Sequence, residues 1–64
     1  MTASQWIVYF VLELTQQRPG IDQGLAVQMG RACSDSGPPE VAAGRCARLS
    51  PAARDAIAAG GMPA

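Results

Sequence analysis

The chain lacks histidine and lysine altogether. These absences remove the side chains on which most acid–base and amine chemistry depends. A cysteine nucleophile would need a base beside it to take its proton. Cys33 lies near Arg31 and Cys46 follows Arg45, but a guanidinium group cannot accept a proton. The sequence also has no glycine-rich phosphate-binding loop. We therefore expect no catalytic site and no enzymatic activity.

Metal-binding patterns are also missing. Cys33 and Cys46 are thirteen positions apart and no histidine accompanies them, which does not match the ligand spacing of zinc sites. We expect neither a metal nor another cofactor. Five arginines balance five acidic residues, so the chain has no net field that would attract nucleic acid or an anionic membrane. Abundant alanine, glycine and proline without lysine is a composition typical of high-GC bacterial or phage genes.

Long apolar runs are absent as well. The densest run, Gln5–Leu14, is about half of the roughly 20 residues that a membrane-spanning helix needs. No basic residue precedes this run and no small-residue cleavage site follows it promptly, so it does not resemble a secretory signal. We therefore expect a cytoplasmic protein with no transmembrane segment. In that setting Cys33 and Cys46 are expected to be reduced and buried.

The large apolar side chains are concentrated in Gln5–Leu14, which holds all three aromatic residues. Large apolar side chains carry most of the burial energy, at about 25 cal/mol per Å² removed from water. The core must therefore form on this segment. Domains near this size bury only about 60% of the surface that the unfolded chain exposes, so stability should be marginal without a partner or another constraint.

Two conformations compete for this segment. As a helix, it has a broad apolar face and a second apolar strip on the opposite side. The broad face consists of Trp6, Ile7, Phe10, Val11 and Leu14, and the strip consists of Val8, Tyr9 and Leu12. As a strand, it would need a second strand, which only another copy of the chain offers. A capping box at Thr2 and Gln5 favours the helix.

Turn residues divide the rest of the chain into short helices. Pro19 and Gly20 end the first helix, and Asp22 caps a second one that extends to about Ser34. Ser34–Pro38 is a loop, after which Pro39 begins a third helix. A fourth begins at Ser50 and Pro51 and ends at Gly60–Gly61. We therefore predict one all-α domain over 1–64, a bundle of three to four short helices around the aromatic-rich N-terminal helix, with a frayed tail at 61–64. The alternative is an N-terminal strand followed by helices in a strand-paired dimer.

The later helices have thin apolar faces. The expected members are Ile21, Leu25, Met29 and Ala32 or Cys33 in the second, Val41, Ala42, Cys46 and Leu49 in the third, and Ile57 in the fourth. Small residues in the third and fourth helices should let them lie close to the first helix. These residues are Ala43, Gly44, Ala47, Ala53 and Ala56. Gly24 and Gly30 should each weaken the second helix. If Cys33 and Cys46 face each other across the loop, helix rise puts them out of step by roughly 5 Å, which argues against a disulfide.

Two DNA-binding hypotheses remain as alternatives. Leu25–Ala26 followed by Met29–Gly30 resembles the first helix and turn of a helix-turn-helix unit. Its recognition helix would fall on Arg31–Glu40, where Ser34–Pro38 cannot be helical. The strand alternative resembles ribbon-helix-helix repressors, although only Gln5 on its groove-facing side suits base reading. Zero net charge argues against nucleic acid as the partner in both cases.

The hypothesis that we carry forward is a small protein–protein interaction module. The later helices have too few large side chains to cover both sides of the first helix, so Val8, Tyr9 and Leu12 should meet another chain, either a second copy or a different protein. A phage- or mobile-element-encoded modulator, or a small subunit of an assembly, would fit this description. Two other interpretations are a membrane-surface helix anchored by Trp6 and Tyr9, and a domain that spends all its aromatic side chains on its own core.

Overall fold

The computed structural model describes residues 1–34 and 36–60. Within these residues it contains four helices and no strand. The helices are α1 (Ala3–Gln17), α2 (Gln23–Cys33), α3 (Pro39–Ala47) and α4 (Pro51–Ala58). The all-α prediction is confirmed, and the strand alternative is wrong because Gln5–Leu14 lies inside α1. The frayed tail predicted at 61–64 lies outside the described residues.

Local capping explains where the helices begin. Thr2 and Gln5 form the predicted capping box, since the Thr2 hydroxyl accepts from the Gln5 N–H at 3.2 Å and the Gln5 side-chain oxygen accepts from the Thr2 N–H at 3.0 Å. The side chains of Asp22 and Ser50 accept from the third backbone N–H of their helices, at 2.9 and 3.2 Å. Such a cap contributes about 1 kcal/mol to stability. Pro39 stands at the first position of α3, where no N–H is needed.

The core forms on the predicted broad face of α1. That helix packs against both α2 and α3, while α4 packs against α2. Trp6, Phe10 and Leu14 are buried, and the rings of Trp6 and Phe10 stack with their centroids 5.4 Å apart. Ile7 and Val11 are partly buried beside them. The large residues of α1 are thus surrounded by the small residues of its neighbours.

The buried face of α3 is made of small residues. It consists of Pro39, Ala42, Ala43, Cys46 and Ala47. The prediction that Val41 belongs to this face is wrong, because Val41 lies about 200° around the helix from Pro39 and is 46% exposed. Ala43 and Ala47 are buried on α3, which packs against α1, whereas Ala56 on α4 is exposed.

α2 approaches α1 closely at Gly30. A Cβ atom at this position would lie 3.2 Å from both Ile7 Cγ2 and Phe10 Cδ1, closer than an ordinary van der Waals contact. Gly30 was expected only to weaken α2, but its lack of a side chain lets α2 pack closely against the core face of α1. Gly30 also lies inside α2, which continues to Cys33. The turn that the helix-turn-helix hypothesis needs at Gly30 is not formed.

Two long-range hydrogen bonds fix α3 at both of its ends. The Trp6 indole N–H donates to the Gly37 carbonyl oxygen at 2.8 Å, just before α3 begins. Gly37 has a φ of 88°, a backbone conformation that suits glycine. At the other end, the Arg18 Nε–H donates to the Ala47 carbonyl oxygen at 2.8 Å, which satisfies an acceptor left open by the end of the helix.

Candidate functional site

The strip predicted on α1 is exposed to solvent. Val8, Tyr9 and Leu12 are 56%, 53% and 55% exposed, whereas Phe10 on the same helix is fully buried. We call these three residues the α1 strip. They point away from Phe10 because each lies between about 100° and 200° from it around the helix. Trp6 and Phe10 are therefore buried in the core of the domain, whereas Tyr9 is not, so the core does not take up all three aromatic side chains.

Two shallow grooves run along the strip, one on each side of Tyr9. The first has a volume of about 240 Å³ and is lined by Ser4, Gln5, Val8 and Tyr9. The second has a volume of about 230 Å³ and is lined by Tyr9, Leu12, Glu13, Gln16 and Glu40. The apolar centre is thus bordered by polar side chains, which is the arrangement found in protein interfaces.

The charge around the strip is negative although the whole chain is neutral. Glu13 from α1 and Glu40 from α3 line the second groove, and neither groove contains a basic side chain. Arg18 is bound to the end of α3, and Arg45 lines a different cavity. Because Glu13 and Glu40 are the charged side chains that line the two grooves, this surface favours a ligand that carries positive charge.

Cys33 and Cys46 form a second group of interest. Both are buried thiols, as predicted, and they lie close enough for Cys33 to act on the ionisation of Cys46. The predicted offset between them stays a prediction; α2 packs against both α1 and α4, whereas α3 packs against α1. Burial, together with Cys33, raises the pKa of Cys46 from 9.0 to about 11, against the lowering effect of Arg45 and Arg54. Cys46 is therefore a neutral thiol at physiological pH.

An open cavity of about 240 Å³ lies against the two thiols. The residues lining it are Cys33, Ser36, Ala42, Arg45, Cys46, Leu49 and Ile57. The Nε atom of Arg54, whose charge acts on Cys46, is buried without a hydrogen-bond partner. Sequence reasoning predicted the buried thiols but missed the cavity beside them, because residues from three helices line it and no local pattern signals it.

The remaining functional hypotheses can be compared with the same geometry. Within 1–34 and 36–60, no group of three or more metal-ligating side chains occurs, and none of the helices has the length and apolarity to cross a bilayer. Trp6, the anchor required by the membrane-surface interpretation, is 3% exposed and donates to Gly37. The ribbon-helix-helix hypothesis lacks its strand in this part of the chain.

Comparisons of the sequence and the structure with protein families, with curated proteins and with solved structures found no match. The functional argument therefore stands on the surface and the thiol pair described above.

Proposed function

We propose that this protein is a small interaction module that binds another protein through the α1 strip. The observation that supports this proposal is the exposure of Val8, Tyr9 and Leu12, three large apolar side chains on adjacent turns of one helix. Isolated apolar side chains are common on protein surfaces, but a contiguous group with a polar border is typical of a binding surface. Tyrosine is also enriched among the residues that contribute most to binding.

The strip alone is too small to give tight binding. Covering the exposed half of each side chain contributes about 1 kcal/mol, half of the roughly 2 kcal/mol for full burial of such a group. The three together contribute about 3 kcal/mol, which corresponds to binding weaker than millimolar before the cost of association is subtracted. The strip therefore serves as the centre of a larger interface, and polar groups around it must supply further contacts.

The partner surface is best supplied by an amphipathic helix. The strip itself lies within α1, and the second groove beside it is completed by Glu40 of α3, so the backbone on both sides is helical and makes its hydrogen bonds within the helices. An extended segment would find no open sheet edge to pair with, whereas a helix satisfies its own backbone. A helix with apolar residues along one side can place them in the two grooves beside Tyr9.

Charge favours a different protein over a second copy as the partner. If two copies of α1 packed against each other, Glu13 would find no basic residue on the facing helix, because α1 contains no arginine or lysine. A partner helix with lysine or arginine at its border would pair with Glu13 and Glu40. Each such exposed ion pair contributes about 0.2–1 kcal/mol. The proposed partner is therefore a basic amphipathic helix of another protein.

Two synthetic helical peptides test this proposal. Both carry leucines at i, i+3, i+4 and i+7; one has lysines beside the leucine stripe and its twin has glutamates. In a nuclear magnetic resonance titration at millimolar peptide, the lysine peptide should shift the amide signals of the α1 strip and bind roughly two- to thirtyfold more tightly than its twin, as expected for two border ion pairs. Shifts elsewhere, equal affinities or no binding would contradict the proposal.

A matched pair of variants controls for nonspecific effects. Leu12→Gln places an amide in the centre of the strip and should abolish the shifts there. Ala52→Gln places the same side chain at an exposed position on α4 and should leave binding unchanged. Equal loss of binding in both variants would mean that the peptide does not recognise the strip.

A further inference from the structure

The buried thiol pair lies where two helix ends meet. Cys33 is the last residue of α2, and Cys46 belongs to the last turn of α3. The segment between them contains the loop whose Gly37 carbonyl oxygen accepts from Trp6. Because α2 and α3 both pack against α1, the fold places the two thiols on the wall of one cavity, close enough for one to act on the ionisation of the other. The α1 strip plays no part in this arrangement.

The thiols can be reached from solvent through their cavity. Both sulfur-bearing residues line it, and its lining also includes the exposed residues Ser36 and Arg45. The cavity has a volume of about 240 Å³, although each cysteine is only 4% exposed. The attacking thiolate must form against burial and Cys33, which raise the pKa of Cys46 to about 11, and Arg45 and Arg54 offset only part of this rise, so exchange is expected to be slow and is best followed to equilibrium.

We propose that Cys33 and Cys46 are a redox modification site, which a low-molecular-weight disulfide such as oxidised glutathione converts to an intramolecular disulfide. One protein thiolate attacks the glutathione disulfide and releases one glutathione thiolate. The second protein thiolate then attacks the mixed disulfide and releases the other. The two protein thiols are oxidised by two electrons, one glutathione disulfide is reduced to two thiols, and the two protons pass to the glutathione products.

The fold favours the internal bond over a lasting mixed disulfide. Two thiols already held close together react with the high effective concentration of an oriented pair, whereas the same thiols in an unfolded chain meet only as the ends of a flexible loop. A disulfide is shorter than any non-bonded contact between two thiols, at about 2.05 Å. The position of Cys33 at the end of α2 lets the chain close this gap by a local movement next to the loop.

The bond would join two helices that otherwise make little direct contact. α2 and α3 are held together chiefly through α1, so a bridge between their ends would fix the loop between them. By linkage, any preference of the folded state for the disulfide appears as an equal gain in stability of the oxidised protein. Oxidation should therefore raise the resistance of the domain to denaturant.

The experiment is an equilibrium titration of the full chain in reduced and oxidised glutathione, quenched by alkylation and measured by mass spectrometry. It is run on the folded protein and on the protein in concentrated guanidinium chloride. The equilibrium constant for the internal disulfide should be at least tenfold larger in the folded protein. An equal or smaller constant would overturn the proposal, as would accumulation of the mixed disulfide in the folded state.

Two serine variants check the assignment of the bond. Cys33→Ser and Cys46→Ser each retain one thiol, so they should form only the mixed disulfide and should show no gain in denaturant resistance on oxidation. If wild-type protein also shows no such gain while forming the internal bond, the bond does not fit the native fold and the proposal fails. The comparison of folded and unfolded wild type does not depend on whether either variant folds.

Discussion

Replacing Gly30 with alanine tests the contact between α1 and α2. Two effects oppose each other at this position. Alanine is more favourable than glycine inside a helix by about 1 kcal/mol. The added Cβ, however, would lie 3.2 Å from Ile7 Cγ2 and from Phe10 Cδ1. Phe10 is fully buried and stacked on Trp6, so its ring has little room to move.

The net effect follows from these magnitudes. Overpacking a core typically costs about 1–3 kcal/mol, so Gly30→Ala should destabilise the protein by up to about 2 kcal/mol after the gain in helix propensity is subtracted. Gly44→Ala is the matched control, because the nearest atom to its added Cβ, Gln17 Nε2, is 3.8 Å away. That variant should gain about 0.5–1 kcal/mol. Urea unfolding followed by circular dichroism measures both. If Gly30→Ala stabilised the protein as much as Gly44→Ala, α2 would not lie against α1 at this point.

Three further predictions concern the core, the loop and the thiols. Phe10→Ala should cost about 3–5 kcal/mol of unfolding free energy, whereas Tyr9→Ala should change it by no more than about 0.5 kcal/mol; equal losses would show that the strip belongs to the core. Trp6→Phe keeps an aromatic ring but removes the donor to the Gly37 carbonyl oxygen, so it should cost about 1–3 kcal/mol in urea unfolding, and an unchanged midpoint would mean that the bond contributes nothing. Burial and Cys33 raise the pKa of Cys46 to about 11, against Arg45 and Arg54, so the folded protein holds this proton more tightly than the unfolded chain, for which the value is 9.0. The resulting stability is fully present below about pH 9 and should be lost between pH 9 and 11; the urea midpoint of Cys46→Ala should fall less over that range, and parallel curves would contradict the assignment.

The sequence predicted those features that depend on local chemistry. The caps at Thr2, Asp22 and Ser50 and the start of α3 at Pro39 are signalled within four residues of each helix start, and all are present. The broad face of α1 followed from helical spacing alone because its large side chains stand out from a chain of small ones. The exposure of Val8, Tyr9 and Leu12 followed from the shortage of other large residues to cover them.

Features that depend on how helices meet were predicted less well. Val41 was assigned to the core by its apolarity, but α3 buries the side with the smallest residues because only these allow close packing against α1. Gly30 was expected only to weaken α2. Its lack of a side chain, however, leaves room for Ile7 and Phe10, which are distant in sequence. The meeting of Cys33 and Cys46 likewise depends on both helices packing against α1, which no local pattern encodes.

The proposed role of the α1 strip is tested most directly by the affinity of Tyr9→Ala for the lysine-flanked helical peptide. Tyr9 lines both grooves and makes little contribution to the core, so its truncation should weaken binding while the domain stays folded. Loss of about 1 kcal/mol of apolar contact corresponds to a roughly fivefold increase in the dissociation constant, and a binding hot spot would give more. We predict an increase of at least that size in the nuclear magnetic resonance titration. An unchanged dissociation constant for folded Tyr9→Ala would contradict the account.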